Sequence, residues 1–205
     1  MNKNLNLIYL IFFLTLNFSC VEKEESDKEK NKTELVGNSN ADTLKFNNGI
    51  SSIFQDSKGN YWYGSRQEGV ALFDGQTYTY FTTNKGLPDN QIRSIKEDNN
   101  GNIWFETANG ISSYDGKRIA NHTIIENAIS QNEWTKTSND LWFSAGNKEG
   151  VYKYDGDNIK KYTDSLGQSN GFVHRIYKDN DDELWFVLTN GDVYRFNGKI
   201  FNREF

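Results

Sequence analysis

The chain offers few side chains that could carry out nucleophilic, metal or phosphate chemistry. Its two histidines, His122 and His174, do not stand at a spacing that a metal site or a catalytic triad would use, and Cys20 is the only cysteine. Zinc would therefore lack nitrogen and sulfur ligands, and a single thiol excludes a disulfide within the chain. No glycine-rich phosphate-binding loop occurs either. We expect neither a metal nor a cofactor.

Carboxylates are the remaining candidates for acid–base catalysis. Glu106 stands out because it directly follows a tryptophan–aromatic pair, so a polysaccharide lyase or hydrolase that uses carboxylates is the alternative function. Acidic residues are common throughout the chain, however, and most acidic side chains on a protein are solvated. We predict that the protein is not an enzyme.

The elements that would position a site come from a fourfold repeat. Tryptophans with apolar or aromatic neighbours recur about every 40 residues: Trp62, Trp104, Trp142 and Trp185. After each comes a glycine, then an aromatic residue with an Asp-Gly or Asn-Gly pair, which tolerates the positive φ angles of tight hairpin turns. One repeat is thus predicted to form four short strands. The pattern indicates an all-β fold, a β-propeller of about four blades, each a four-stranded antiparallel sheet with its tryptophan packed between blades.

A ring of polar side chains is the candidate ligand site. The first strand of a blade begins near the propeller axis, and its early positions are polar in every repeat: Ser51, Arg93, Gln131 and His174, followed by Ser52, Ser94, Asn132 and Arg175. Loops on the same face of the propeller add further polar residues. The ligand-binding residues predicted at the channel mouth are Arg66, Asn90, Arg93, Gln131, His174 and Arg175. The alternative is that these groups only hydrate the tunnel.

The second repeat is the most regular of the four. It contains, in order, Gly86-Leu87-Pro88-Asp89-Asn90, Ile92-Arg93-Ser94-Ile95-Lys96-Glu97-Asp98, Gly101, Ile103-Trp104-Phe105, Gly110-Ile111 and Tyr114-Asp115. This succession resembles the two-component regulator propeller repeat, and the resemblance extends over about residues 43–205. It implies a periplasmic sensor propeller, here as a stand-alone protein that assists a signalling or glycan-uptake system. No kinase segment follows in this sequence, so we expect any signal to pass through another protein.

Two features leave the closure of the ring open. In the third repeat Glu133 stands where the other repeats have isoleucine, and the Asp-x-x-Gly turn is missing, so the first strand is either bulged or shifted in register. Candidates for an outer strand occur at both ends, at 43–46 and 200–205. Either the N-terminal strand adds to the fourth blade, or the ring stays open and a second chain completes it. We favour a closed monomer.

The N-terminal residues differ from the repeats. An apolar run that is shorter than the about 20 residues of a membrane span ends at Ser19, just before Cys20. Residues 1–19 resemble a lipoprotein signal peptide, which would leave Cys20 as the acylated N-terminus; the alternative is an ordinary secretory peptide with an incidental cysteine. Residues 20–42 are highly charged and predict a disordered tether. The repeats then divide at about 43–90, 91–127, 128–171 and 172–205.

The net charge and the predicted location limit the classes of molecule that the protein could bind. The net charge is −5, and removal of the signal peptide takes away Lys3 and makes the mature chain more acidic. Nucleic acid is excluded, because its binding requires lysine and arginine to neutralise phosphates. We expect a cell-envelope protein, an outer membrane lipoprotein that is periplasmic or surface-exposed and touches the membrane only through its lipid. Its predicted function is non-catalytic binding of a small molecule, a glycan or a protein.

Overall fold

The computed structural model describes residues 43–122, 128–129, 134–146, 150–162 and 172–205. They form four sheets of four strands, which confirms the prediction of an all-β propeller of about four blades. The first blade contains β1 (Ile50–Gln55), β2 (Tyr61–Ser65), β3 (Val70–Phe73) and β4 (Tyr78–Phe81), and the second β5 (Ile92–Glu97), β6 (Ile103–Thr107), β7 (Gly110–Tyr114) and β8 (Ile119–Asn121). The third contains β9 (Ala128–Ile129), β10 (Leu141–Ser144), β11 (Val151–Tyr154) and β12 (Ile159–Tyr162), and the fourth β13 (Val173–Lys178), β14 (Leu184–Leu188), β15 (Val193–Phe196) and β16 (Phe201–Arg203).

The turn between the first two strands of a blade is tied to the tryptophan of that blade. The Asp56 carboxylate accepts hydrogen bonds from two backbone N–H groups of its own turn and from Trp62 Nε1 at 2.8 Å. The same contact recurs in the second and fourth blades, between Trp104 and Asp98 and between Trp185 and Asp179. In the third repeat Lys136 stands where the aspartate would be. In three of the four blades, one aspartate thus stabilises both the turn and the tryptophan of the core.

The innermost strands of the first, second and fourth blades each contain a β-bulge. The residue that the partner strand skips is Ser51 in β1, Arg93 in β5 and His174 in β13. A bulge leaves its extra residue out of the hydrogen-bond ladder and re-aims the side chain. Three blades therefore present a polar side chain at an equivalent point of the inner strand.

The third blade departs from the predicted antiparallel pattern. Its strands lie in the order β10, β11, β12 and β9, and β9 pairs with β12 in parallel at the outer edge. Among the described residues no strand lies inside β10, so β10 forms the inner edge of this blade. The reason is local: without an Asp-x-x-Gly turn, the third repeat lacks the hairpin signal that joins the first two strands elsewhere.

Hydrophobic clusters hold neighbouring blades together, as the repeat predicts for its tryptophans. Trp62, Trp104 and Trp142 are each at most 3% exposed. Each packs against the phenylalanine that follows the tryptophan of the next blade: Trp62 with Phe105 at 5.6 Å, Trp104 with Phe143 at 5.7 Å and Trp142 with Phe186 at 6.3 Å between ring centroids. Trp134, which lies outside the repeat pattern, is buried in the cluster between the third and fourth blades.

The N-terminal described residues pack against the first blade rather than the fourth. The Lys45 N–H donates to Tyr80 Oη at 2.8 Å, and the Phe46 ring lies 5.7 Å from the Tyr80 ring. Residues 43–46 form no strand, and β16 occupies the outer position of the fourth sheet. The predicted closure by an N-terminal strand is therefore wrong. Within the described residues, no hydrophobic cluster joins the fourth blade to the first, and no helix is long and apolar enough to cross a bilayer.

Candidate functional site

A cavity of about 590 Å³ lies among the inner strands of the first, second and fourth blades. Four of the six predicted ligand-binding residues line it: Arg66, Arg93, His174 and Arg175. Its volume is within the range of about 300–1,000 Å³ that is usual for small-molecule sites. The structure thus brings together residues from three repeats that are far apart in the sequence.

Of the other two predicted residues, Asn90 is not part of this cavity. Asn90 lies beside Arg66 at a separate depression of about 380 Å³. Its side-chain oxygen accepts a hydrogen bond from the Thr83 N–H at 2.9 Å, and its backbone oxygen accepts one from the Gly69 N–H at 2.9 Å. Asn90 therefore holds a loop of the first blade in place. Gln131 lies outside the described residues.

The bulges place some of the polar residues that line the cavity. Arg93 and His174 are the bulged residues of their strands, and Arg93 Nη1 lies 3.4 Å from Ser144 Oγ across the second and third blades. Ser51, the bulged residue of the first blade, uses its hydroxyl differently. It donates toward the backbone oxygens of Gly64 at 3.0 Å and Ile92 at 2.7 Å, which joins the first two blades.

Among the described residues, Glu106 is the only carboxylate on the cavity wall, and both of its oxygens are engaged. Oε2 accepts a hydrogen bond from Ser94 Oγ at 2.6 Å, and Oε1 accepts from the Ser144 N–H at 3.2 Å and from the Ser144 hydroxyl. The side chain is buried between the second and third blades. These contacts favour a structural role for Glu106 over the acid–base role that its sequence position suggested.

Lys96 is a half-buried functional group that the sequence pattern did not single out. Its ammonium group donates to the Trp142 carbonyl of β10 and lies 4.8 Å from the centre of the Phe143 ring. Burial lowers the pKa of Lys96, and the nearby Glu106 carboxylate opposes that shift. The signal available in the sequence was a lysine where the first and fourth repeats have an aromatic residue.

Together, Lys96 and Glu106 provide hydrogen-bond partners for two backbone groups at the inner edge of the third blade. Alternate residues of a strand direct their N–H and C=O groups to the same side, so the Trp142 carbonyl and the Ser144 N–H both point away from β11. In the other blades an inner strand pairs with this edge. Here two side chains of the second blade make the hydrogen bonds instead.

The remaining histidine, His122, is a packing residue. Its ring stacks on Trp104 at 5.0 Å between centroids, and its Nε2 lies 2.9 Å from Ser113 Oγ. Burial lowers the pKa of His122, which favours the neutral ring. In the described part of the chain, no three acidic, histidine or cysteine side chains meet as a metal site would require.

Counted over the described residues, the charge on the cavity wall is predominantly positive. Arg66, Arg93 and Arg175 face it, whereas the one carboxylate is held in internal hydrogen bonds. Arg66 and Arg175 are exposed to solvent, and a guanidinium group can bind a carboxylate, sulfate or phosphate through two parallel hydrogen bonds. The arrangement is suited to an anionic ligand.

The comparison with protein families agrees with this architecture. Residues 45–67 and 86–108 match the model of the two component regulator propeller. These segments are two-component regulator propeller repeats. They contain the first two strands of the first and second blades completely, including the bulges at Ser51 and Arg93. A search of curated proteins found no match to the chain.

Solved structures share the propeller fold. The chain resembles the virginiamycin B lyase of Staphylococcus aureus, with 20% identity and a TM-score of 0.58 over 80% of this chain and 57% of the lyase. It also resembles the extracellular domain of the BT4673 hybrid two component system of Bacteroides thetaiotaomicron, with 22% identity and a TM-score of 0.58 over 80% of this chain and 26% of that one. At these identities the likeness shows the fold alone, and the repeats span little more than half of the lyase.

Proposed function

We propose that this chain is an extracytoplasmic binding propeller that takes a small anionic ligand, such as an acidic sugar, into the cavity between its inner strands. The observation that carries this proposal is the set of Arg66, Arg93, Arg175 and His174 around a volume of about 590 Å³. A hydrogen bond to a charged group contributes about 1.5–3 kcal/mol, so two arginines engaged with one carboxylate supply a useful share of the binding free energy.

The binding experiment compares glucuronate with glucose by isothermal titration calorimetry on the full chain in a mild detergent. We expect glucuronate to bind at least about tenfold more tightly, and Arg66→Gln or Arg175→Gln to remove most of that preference. Arg118→Gln is the matched control, because Arg118 is highly exposed on an outer turn, where it forms an ion pair with Asp115. Equal affinity for the two sugars, or an equal loss in the Arg118 variant, would contradict an anion site.

The proposed role is binding without turnover. Within the part of the chain that the structure describes, Glu106 is the only acid on the wall, and its engagement with Ser94 and Ser144 supports this view. An activity screen against acidic polysaccharides tests it, with Glu106→Gln as the variant. Cleavage that this substitution abolishes in a protein with an unchanged circular dichroism spectrum would establish a carboxylate lyase or hydrolase instead.

We also propose that Cys20 anchors the propeller to the outer membrane by a lipid, and that the ligand signal passes to another envelope protein. The match to a sensor repeat and the extracellular location of the structurally similar sensor domains support this assignment. Cells grown with a clickable palmitate analogue should label the protein, and Cys20→Ala should abolish the label. An unlabelled wild-type protein in the soluble periplasmic fraction would refute the anchor.

A further inference from the structure

The cavity between the inner strands has apolar side chains on its wall besides its arginines. Ile50, Ile53 and Tyr177 line it, and they are 40%, 62% and 53% exposed. Few large hydrophobic side chains in the described part of the chain are exposed, and these three share one cavity. Exposed apolar groups in a concave site mark a place where a ligand binds. The ligand should therefore match the apolar side chains as well as the arginines.

The arginines lie together at the mouth of the cavity. Arg93 and Arg175 are near the first residues of β5 and β13, and Arg66 belongs to the loop between β2 and β3. Since β1 and β2 are antiparallel, the end of β2 lies beside the start of β1, where Ser65 pairs with Ile50. The loop that carries Arg66 thus lies on the same side of the propeller as the starts of the inner strands. Positive charge is concentrated at this end.

The apolar side chains continue from the mouth to the inner end of the cavity. Ile53 comes three residues after Ile50 on β1, and Tyr177 comes two residues after Arg175 on β13, which corresponds to about 7–10 Å along a strand. Tyr177 also lines a second cavity of about 320 Å³, which is formed in part by the ends of β5 and β13. Tyr177 therefore lies at the inner end of the first cavity, where it meets the second.

We propose that the ligand of this cavity is an amphiphilic organic acid, in which a charged group is joined to an apolar ring. An aryl glycoside of a uronic acid has this form. The arginines at the mouth bind the charged group, and the apolar ring packs on Ile53 and Tyr177 further in. This assignment rests on the proposed anion site and names its ligand class more narrowly.

The hydrophobic effect provides the reason for the apolar ring. A sugar acid that carries only hydroxyl groups would leave Ile53 without an apolar partner, although more than half of its side chain is exposed. An apolar ring at this place removes both its own surface and that of the protein from water. Full burial of a group the size of an aromatic side chain changes a binding constant by about tenfold to a hundredfold. The apolar end can thus contribute to affinity as strongly as the charged end.

Isothermal titration calorimetry of the full chain in a mild detergent compares glucuronate, phenyl β-D-glucuronide and phenyl β-D-glucoside. In the glucuronide, the carboxylate and the phenyl ring stand at opposite ends of the sugar ring, as the cavity requires. We expect it to bind about tenfold or more tightly than glucuronate, and also more tightly than the neutral glucoside. Its heat-capacity change on binding should be more negative than that of glucuronate, because apolar surface is buried.

Substitutions at the inner end test the contact itself. Tyr177→Ser and Ile53→Ser should each remove most of the gain from the phenyl ring and leave the affinity for glucuronate within about twofold. Both side chains are more than half exposed, so neither change should prevent folding. Tyr177→Phe should keep the gain, because the ring rather than the hydroxyl makes the contact. Ile200→Ser is the matched control, since Ile200 is 57% exposed in the turn between β15 and β16, outside the cavity.

The outcomes separate this inference from the proposed function. Equal affinities for the glucuronide and glucuronate, in a protein that still prefers glucuronate to glucose, would overturn the apolar contact and leave the anion site intact. A gain that persists in both serine variants would also overturn it, since the phenyl ring would then bind elsewhere. A glucoside that binds as tightly as the glucuronide would refute the anion site and, with it, the amphiphilic ligand.

Discussion

Replacing Trp62 by phenylalanine isolates the hydrogen bond that joins the core of the first blade to its turn. The substitution keeps an aromatic ring between the blades but removes the Nε1–H that donates to Asp56 Oδ2 at 2.8 Å. Trp142→Phe is the matched control. Trp142 is equally buried and also contacts the next blade, but Lys136 occupies the place of the aspartate in its repeat.

The expected magnitude follows from the charge of the acceptor. Both variants lose a similar apolar area, which largely cancels when they are compared, and a hydrogen bond to a charged group contributes about 1.5–3 kcal/mol. Asp56 is buried, so solvent does not readily replace the lost donor. We expect the free energy of unfolding to fall by about 1.5–3 kcal/mol more in Trp62→Phe than in Trp142→Phe at pH 7.

The excess should also depend on pH in a defined direction. Burial by itself raises the pKa of Asp56, but hydrogen bonds from Trp62, Asn60 and Lys58 outweigh it, and the pKa lies below its usual value of 3.8. A carboxyl whose pKa is lowered by folding stabilises the protein above its unfolded pKa and loses that contribution as the pH falls through its folded pKa. The excess should therefore be complete at neutral pH and shrink below about pH 4.

Urea unfolding of the full chain, followed by circular dichroism between pH 7 and pH 2.5, measures both quantities. The wild-type protein and the two variants are compared at each pH. An excess below about 0.5 kcal/mol at pH 7, which is the usual scatter of additivity, would refute the reasoning. An excess that does not change on acidification would show that the loss arises from packing rather than from the carboxylate.

Three further substitutions test packing and buried charge. Gly64→Ala would place a Cβ 2.6 Å from Ile92 Cγ2. We therefore expect overpacking to lower the free energy of unfolding, measured in urea, by about 1–3 kcal/mol. Lys153→Met removes the partner of the buried Asp140, 2.9 Å away, and should lower the free energy of unfolding by about 3–5 kcal/mol. Lys96→Met leaves a carbonyl of the third blade without its donor; a loss of about 1–3 kcal/mol, seen as faster proteolysis under native conditions, is expected.

The repeat made most of the fold predictable. Hairpin turns and the tryptophans with their apolar or aromatic neighbours are local signals, and they predicted the bounds of strands such as β5 and β6 closely. Four of the six predicted ligand-binding residues line the cavity. Arg93, His174 and Arg175 do so because their place in the repeat fixes their place on the inner strand, and Arg66 lies in the loop between β2 and β3. The third blade was predicted less well, since Ala128–Ile129 pairs in parallel at the outer edge and a parallel pairing has no hairpin turn to announce it.

The contacts that complete the site were beyond the reach of local patterns. The hydrogen bond from Lys96 to the Trp142 carbonyl joins residues 46 positions apart, and the one from Ser144 to Glu106 joins residues 38 positions apart. Lysine, serine and glutamate are residue types that usually lie on the protein surface, so none of the three attracts notice in the sequence. Only the packing of the second blade against the third shows that they serve an open strand edge and that both oxygens of the Glu106 carboxylate accept hydrogen bonds.

The sequence by itself determined the strands of most blades, because strand alternation, turn residues and the repeated tryptophan all act within about 40 residues of chain. The tertiary structure decided whether the tryptophan of each repeat is buried. Trp62 and Trp185 have the same local setting and the same bond to an aspartate, yet one is buried and the other is partly exposed. Burial depends on whether another blade lies against the residue, and that is a property of the assembled ring.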